Sequence, residues 1–153
     1  MPTLTLSDKQ AREIYPSAAP ELKTILEETF GKPFFSQKIT DRVKSFEDTC
    51  TVLNIKKQYV FDEDEDTEDE IAYKKLKVIA KALNEGWTPD WNNSSEYKYY
   101  AWFYLNSPGF RFDYAGYGCT GSGVGSRLCF RSRELAEYAA KQFTDIYKTF
   151  FTA

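Results

Sequence analysis

The sequence predicts an α+β fold in a single domain over residues 1–153: N-terminal helices, a three-stranded antiparallel meander, and a C-terminal helix packed on that sheet. Three observations carry this prediction. Apolar residues recur at helical spacing through three segments before residue 85. Between residues 97 and 131 the pattern changes to alternation, broken by Asn-Ser-Pro-Gly and a glycine-rich stretch. A last helical stripe follows from residue 133.

Residues 1–16 read as an extended arm, because Leu4 and Leu6 alternate with Thr3 and Thr5. The first helix runs from Ser17 to Phe30, with Ser17 as N-cap and Pro20 in the first turn. Leu22, Ile25, Leu26 and Phe30 share its apolar face, and Gly31 and Pro33 end it. A second helix, Asp41 to Leu53, carries the stripe Ile39, Val43, Phe46, Cys50 and Leu53, so the two predict a helical hairpin. Residues 54–70 form an acidic loop, in which eight of the nine residues Asp62 to Glu70 are acidic. Asp62, Asp64 and Asp66 alternate as in a calcium loop. However, Thr67 stands where glycine is required and Tyr73 where the closing glutamate belongs, so no calcium site is expected. The third helix runs from Glu68 to Asn84. Ala72, Leu76, Ile79, Ala80 and Leu83 face inward, and Gly86 ends it.

Trp87 to Phe103, read WTPDWNNSSEYKYYAWF, holds all three tryptophans and joins the helical part to the sheet. The first strand, Tyr97 to Leu105, is apolar on both faces, more than a sheet covered on one side requires. By parity, Tyr97, Tyr99 and Phe103 face the covering helix. Trp102 and Tyr104 face the other way, beside Arg127 and Arg131 of the third strand. The second strand is Phe110 to Tyr114, Ala115 to Gly125 is a glycine-rich loop, and the third strand is Ser126 to Arg131. Ser132 caps a helix from Arg133 to Phe150, with Leu135, Ala139, Gln142, Phe143, Ile146 and Phe150 on one face.

Composition narrows the chemistry. The absence of histidine removes histidine acid–base catalysis, Ser-His-Asp triads and histidine-ligated metal. Cys50, Cys119 and Cys129 are an odd number without paired spacing, which fits reduced thiols; no metal or other cofactor is expected. Gly116-Tyr117-Gly118-Cys119-Thr120-Gly121 matches G-x-G-x-x-G, but a strand rather than a helix follows, so the phosphate reading fails. Residues 1–70 carry 9 Lys+Arg against 16 Asp+Glu, and residues 71–153 carry 11 against 7. A net charge of −3 disfavours general nucleic-acid binding. No apolar run reaches the ~18 residues that suggest a membrane span, and the first 15 residues lack an apolar leader, so a soluble cytoplasmic protein is expected.

WTPDWNNSSEYKYYAWF and VGSRLCFRSRELAEYAAKQFTDIYK, with ITDRVKSFEDTC and KVIAKALNEGW, resemble a group of uncharacterised small proteins of Bacteroidetes genomes and their phages or prophages. The resemblance extends from about Glu21 to Tyr147. It is weakest at CTGSG, where the group has a more aromatic loop, and at Ala101, where the group more often has proline. It implies a phage or mobile-element accessory role and brings no activity, cofactor or catalytic residue.

The expected function is therefore a non-enzymatic binding or interaction protein, with a protein partner or a second copy as its target. Its binding residues are Trp87, Trp91, Trp102, Tyr104, Arg127 and Arg131. Two alternatives stand beside it. One is a carboxylate-dependent enzyme using Asp90, Glu96 and Asp113. The other is a single-stranded nucleic-acid binder using the rings with Arg127, Arg131, Arg133 and Lys141.

Overall fold

The computed structural model describes residues 5–125 and 128–153 and is α+β. It forms two compact units, one ending at Arg42 and the other beginning at Val43.

In the first unit a helix occupies most of the described part of the expected extended arm, whose residues 1–4 lie outside the described residues. Helix α1 (Asp8–Ile14) starts from a reciprocal cap. The Ser7 hydroxyl accepts the Gln10 N–H, and the Gln10 side chain accepts the Ser7 N–H. The alternation of the leucines stops one residue before this cap. A 3-10 turn at Tyr15–Ser17 leads to α2 (Pro20–Phe30), which begins three residues after the expected Ser17. Gly31, at φ +84°, ends α2. The short helix α3 (Lys32–Ser36) follows at once, where the sequence predicts only a turn at Gly31 and Pro33. Helix α3 brings Phe35 to 4.0 Å from Tyr15 and Phe34 to 5.0 Å from Phe30, measured between ring centroids. The Arg12 guanidinium lies 3.7 Å from the Phe34 ring. The unit closes with α4 (Ile39–Arg42).

The expected helix from Asp41 to Leu53 is interrupted between α4 and α5 (Phe46–Leu53). The Asp48 carboxylate accepts the N–H groups of Lys44 and Ser45, each at 2.9 Å, and the Ser45 hydroxyl accepts the Asp48 N–H. Those bonds fix a new helix start inside the stripe. The Lys44 N–H is the largest of the influences holding the Asp48 carboxyl below its usual range. Val43, Phe46 and Cys50 are buried as the spacing predicts.

Helix α6 (Glu68–Leu83) matches its expected span, with Thr67 and Glu70 forming its capping box. Leu76, Ile79 and Leu83 are buried along it. Ahead of it, the Asp66 carboxylate receives the Lys74 ammonium at 2.6 Å, so the acidic run is partly tied down. Among the described residues, no group of three or more His, Cys, Asp or Glu side chains is placed to hold a metal ion.

The single C-terminal helix expected over 133–150 is two helices, α7 (Arg133–Gln142) and α8 (Thr144–Thr152), broken at Phe143 (φ −116°, ψ 30°). The Thr144 hydroxyl donates to the Ala140 carbonyl at 2.7 Å, a local bond that bends helices. The break changes which residues face inward. Leu135, Ala139 and Phe143 are buried as expected, but Tyr147 takes the inward position rather than Ile146. Gln142 is exposed and donates to the Lys44 carbonyl. Helix α8 meets α6 through Tyr73 and Phe150, stacked at 5.5 Å.

Among the described residues the sheet has two strands, β1 (Lys98–Tyr104) and β2 (Arg111–Gly118), paired antiparallel, and the expected three-stranded meander is not seen. What remains of the third strand is one bridge, in which Tyr99 and Phe130 exchange backbone hydrogen bonds of 2.9 and 2.7 Å. The neighbouring backbone is diverted. The Asn84 side chain donates to the Cys129 carbonyl and accepts the Arg131 N–H, where a strand ladder would continue. Ser126 and Arg127 lie outside the described residues.

Strand β2 also runs on to Gly118, through the first residues of the expected glycine-rich loop. Gly116 pairs with Tyr100, and a Cβ built on Gly116 would lie 2.7 Å from Tyr100 Cζ. Glycine lets the Tyr100 ring lie over the backbone, and any larger residue would have to displace that ring. The register slips by one residue between the pairs Trp102–Tyr114 and Phe103–Phe112, leaving Asp113 as the bulged residue.

Candidate functional site: two aromatic surfaces of the second unit

Pairing assigns the ribbon's faces. Tyr99, Ala101 and Phe103 share one face with Tyr117, Ala115 and Phe112. Helices α7 and α8 cover much of this face. Phe103 is buried, 4.9 Å from Tyr147, and the Arg133 guanidinium lies 5.3 Å from the Tyr99 ring. Tyr97, just before β1, is half exposed and packs on Tyr117 at 4.5 Å, so it is not covered as expected.

Tyr100, Trp102 and Tyr104 share the other face with Gly116, Tyr114 and Arg111. It exposes Trp102 (46%), Tyr104 (42%) and Tyr114 (47%). The Trp102 and Tyr114 rings lie 6.2 Å apart and 30° from parallel. The guanidinium on this face belongs to Arg111, 4.6 Å from the Tyr104 ring. Arg111 also donates to the Asn106 and Gly109 carbonyls, which ties it to the turn between the strands.

Arg131 is placed elsewhere. Its guanidinium pairs with Glu85 at 2.5 Å and donates to the Asn84 carbonyl at the end of α6. Arg127 lies outside the described residues. Arg133 donates to the Ala115 carbonyl, and Lys141 sits 5.7 Å from the Phe112 ring. The described arginines therefore do not form a strip of free cations along the open rings.

Trp87 and Trp91 line a separate cleft of about 550 Å³, together with Lys77, Val78, Lys81 and Asn84 of the α6 end, Thr88 and Pro89 of the turn, and Cys129. Lys98 holds that turn. Its side chain is fully buried, and its ammonium donates to the carbonyls of Asp90 (2.6 Å) and Asn93 (3.2 Å). It also pairs with the Glu96 carboxylate at 3.1 Å. Glu96 in turn accepts the Asp90 N–H at 2.9 Å. That backbone bond leads the causes holding the Glu96 carboxyl below its usual range, joined by Lys98 and the Trp87 side chain against the opposing effect of burial.

Of the carboxylates proposed for catalysis, Asp90 and Glu96 share one turn and Asp113 lies apart from them. Glu96 is bonded into the turn, and the Asp90 carboxylate accepts the Asn92 N–H. Asp113 sits at the bulge beside Trp102 and Phe103. About six residues of strand separate that bulge from Glu96, which is roughly 20 Å. The cysteines are free, and burial is the main influence raising the Cys50 and Cys129 thiols. Among the described residues, no helix is long and apolar enough to cross a membrane.

Sequence reasoning missed Arg111, Tyr114 and Lys98. For Lys98 a signal existed, because it is a lone charge within a run apolar on both faces. Tyr114 lay at the expected end of β2, and the bulge, which the sequence does not announce, turns it toward Trp102. Comparison with known protein families, curated proteins and solved structures finds no match.

Proposed function

We propose that this chain is a non-enzymatic interaction protein whose contact surface is the open face of the β1–β2 ribbon. The observation that carries the reading is the adjacent exposure of Trp102, Tyr104 and Tyr114 on the face opposite the helices. Each of these rings would bury about 150–250 Å² if fully enclosed, so at just under half exposure the three present roughly 200–350 Å². A stable interface buries about 800 Å² per partner, so the rings form the centre of an interface rather than its whole extent. Aromatic residues and arginine are enriched at such centres.

Charge favours a protein occupant, and a second copy of this chain in particular. Arg111 and the exposed Asp113 flank the aromatic centre with opposite signs. Two copies related by a two-fold axis can set each charge against its opposite. A nucleic-acid backbone would need a row of free cations; among the described arginines Arg131 and Arg133 are engaged elsewhere, and Arg111 alone does not make a row. The resemblance to small phage and prophage proteins fits a mobile-element accessory protein acting through association.

Sedimentation across a concentration series tests this reading. The wild-type chain is expected to self-associate between about 10 μM and 1 mM, the range of weak interfaces. Tyr114→Ser should weaken association at least about tenfold, or 1.4 kcal/mol. A wild-type chain that remains a single species at millimolar concentration would overturn the reading.

A further inference from the structure

We propose that the cleft beneath Trp87 and Trp91 binds a small planar organic anion, held by ring contact with the two tryptophans and by the ammonium groups of Lys77 and Lys81. This site lies apart from the open ribbon face and goes beyond the interaction reading. At about 550 Å³ it falls within the roughly 300–1,000 Å³ typical of small-molecule sites. Its lining combines two indole side chains with Val78 and Pro89, which suits a flat apolar body.

The charge on the cleft is positive. Lys77 and Lys81 are four residues apart on α6, which places them one turn apart on the same helix face. Neither is in an ion pair among the described residues; the Lys77 ammonium lies 4.6 Å from the Tyr73 ring and would turn from it toward a ligand. Of the nearby acids, Glu85 pairs with Arg131, and Glu96 with Lys98 and the Asp90 amide; the exposed Asp90 carboxylate accepts the Asn92 N–H and keeps its charge. Asn84 spends both ends of its side chain on the backbone at Cys129 and Arg131. Burial favours the neutral thiol of Cys129, so it adds no opposing charge. The cleft therefore offers aromatic surface and, among the described residues, two cations against the single unpaired carboxylate of Asp90. The Lys98 bonds hold the tryptophan turn in place before a ligand arrives, which reduces the ordering cost of binding.

Calorimetric titration with 2-naphthoate, and with its neutral analogue 2-naphthamide, tests the proposal at neutral pH. Naphthoate should bind with one-to-one stoichiometry and about tenfold more tightly than the amide, as expected for two partly screened charges. The K77Q/K81Q double variant should erase that preference while keeping the wild-type melting temperature, since both lysines reach solvent. Trp91→Ala should weaken both ligands, and Trp102→Ala neither. Absence of saturable naphthoate binding up to about 1 mM, the weak limit for a specific site, would overturn the proposal. So would equal binding of acid and amide, or a preference that survives K77Q/K81Q.

Discussion

The Lys98 ammonium lies 3.1 Å from the Glu96 carboxylate, on a lysine side chain wholly shielded from solvent. This pair joins the start of β1 to the turn that carries Trp87 and Trp91. A buried ammonium must have acceptors, and the Asp90 and Asn93 carbonyls complete the set.

Lys98→Met keeps the apolar stem and removes the donor. It should cost about 1.5–3 kcal/mol, the range for hydrogen bonds to a charged group. The same pair predicts an acid response. The Glu96 carboxyl is held below its ordinary value of 4.5, so its contribution is present above that pH and is lost as pH falls through the lower folded-state value. Glu96→Gln should flatten this part of the stability curve, as read from melting temperatures between neutral pH and pH ~3. An unchanged acid limb in Glu96→Gln would show that the pair does not couple to folding.

Gly116→Ala should destabilise the ribbon by about 1–3 kcal/mol, the usual range for overpacking, because the added methyl enters the space of the Tyr100 ring. In a Tyr100→Ala background the same change should cost much less. Denaturant curves for the four combinations measure the coupling directly. Additive costs would mean that the ring does not lie over the glycine.

Phe143 sits at the break between α7 and α8 and is buried. Phe143→Ala should remove about 3–5 kcal/mol, the range for a buried aromatic. That is a large part of the roughly 5–15 kcal/mol available to a domain. Near wild-type stability in chemical denaturation would contradict the packing described for this junction.

Periodicity made α6 legible to within a residue because its stripe, capping box and stop signals agree. It failed where a short polar side chain competes with the backbone. Ser45 and Asp48 restart a helix inside a continuous stripe, and Thr144 bends another. Neither changes the apolar pattern, so periodicity alone misses both. Among the described residues the third strand shortens to a single bridge for a long-range reason: Asn84 takes the backbone groups beside Phe130 from 45 and 47 residues away. Parity along β1 placed Phe103 inward and Trp102 and Tyr104 outward, since a strand's period of two survives without knowledge of its partner. Parity says nothing of which cation lies nearby. Register and the Asp113 bulge decide that, and they bring Arg111 rather than Arg131 to the open face.

The open-face account is tested most directly by sedimentation of Trp102→Ala and Phe103→Ala beside the wild type, with a melting curve for each. Trp102 is 46% exposed and Phe103 8%. Trp102→Ala should melt within a few degrees of wild type, since exposed substitutions usually change stability by only about 0.5 kcal/mol. It should nonetheless lose concentration-dependent association. Phe103→Ala should lose about 3–5 kcal/mol of stability. A Trp102→Ala chain that folds and still associates as the wild type does would contradict the central claim.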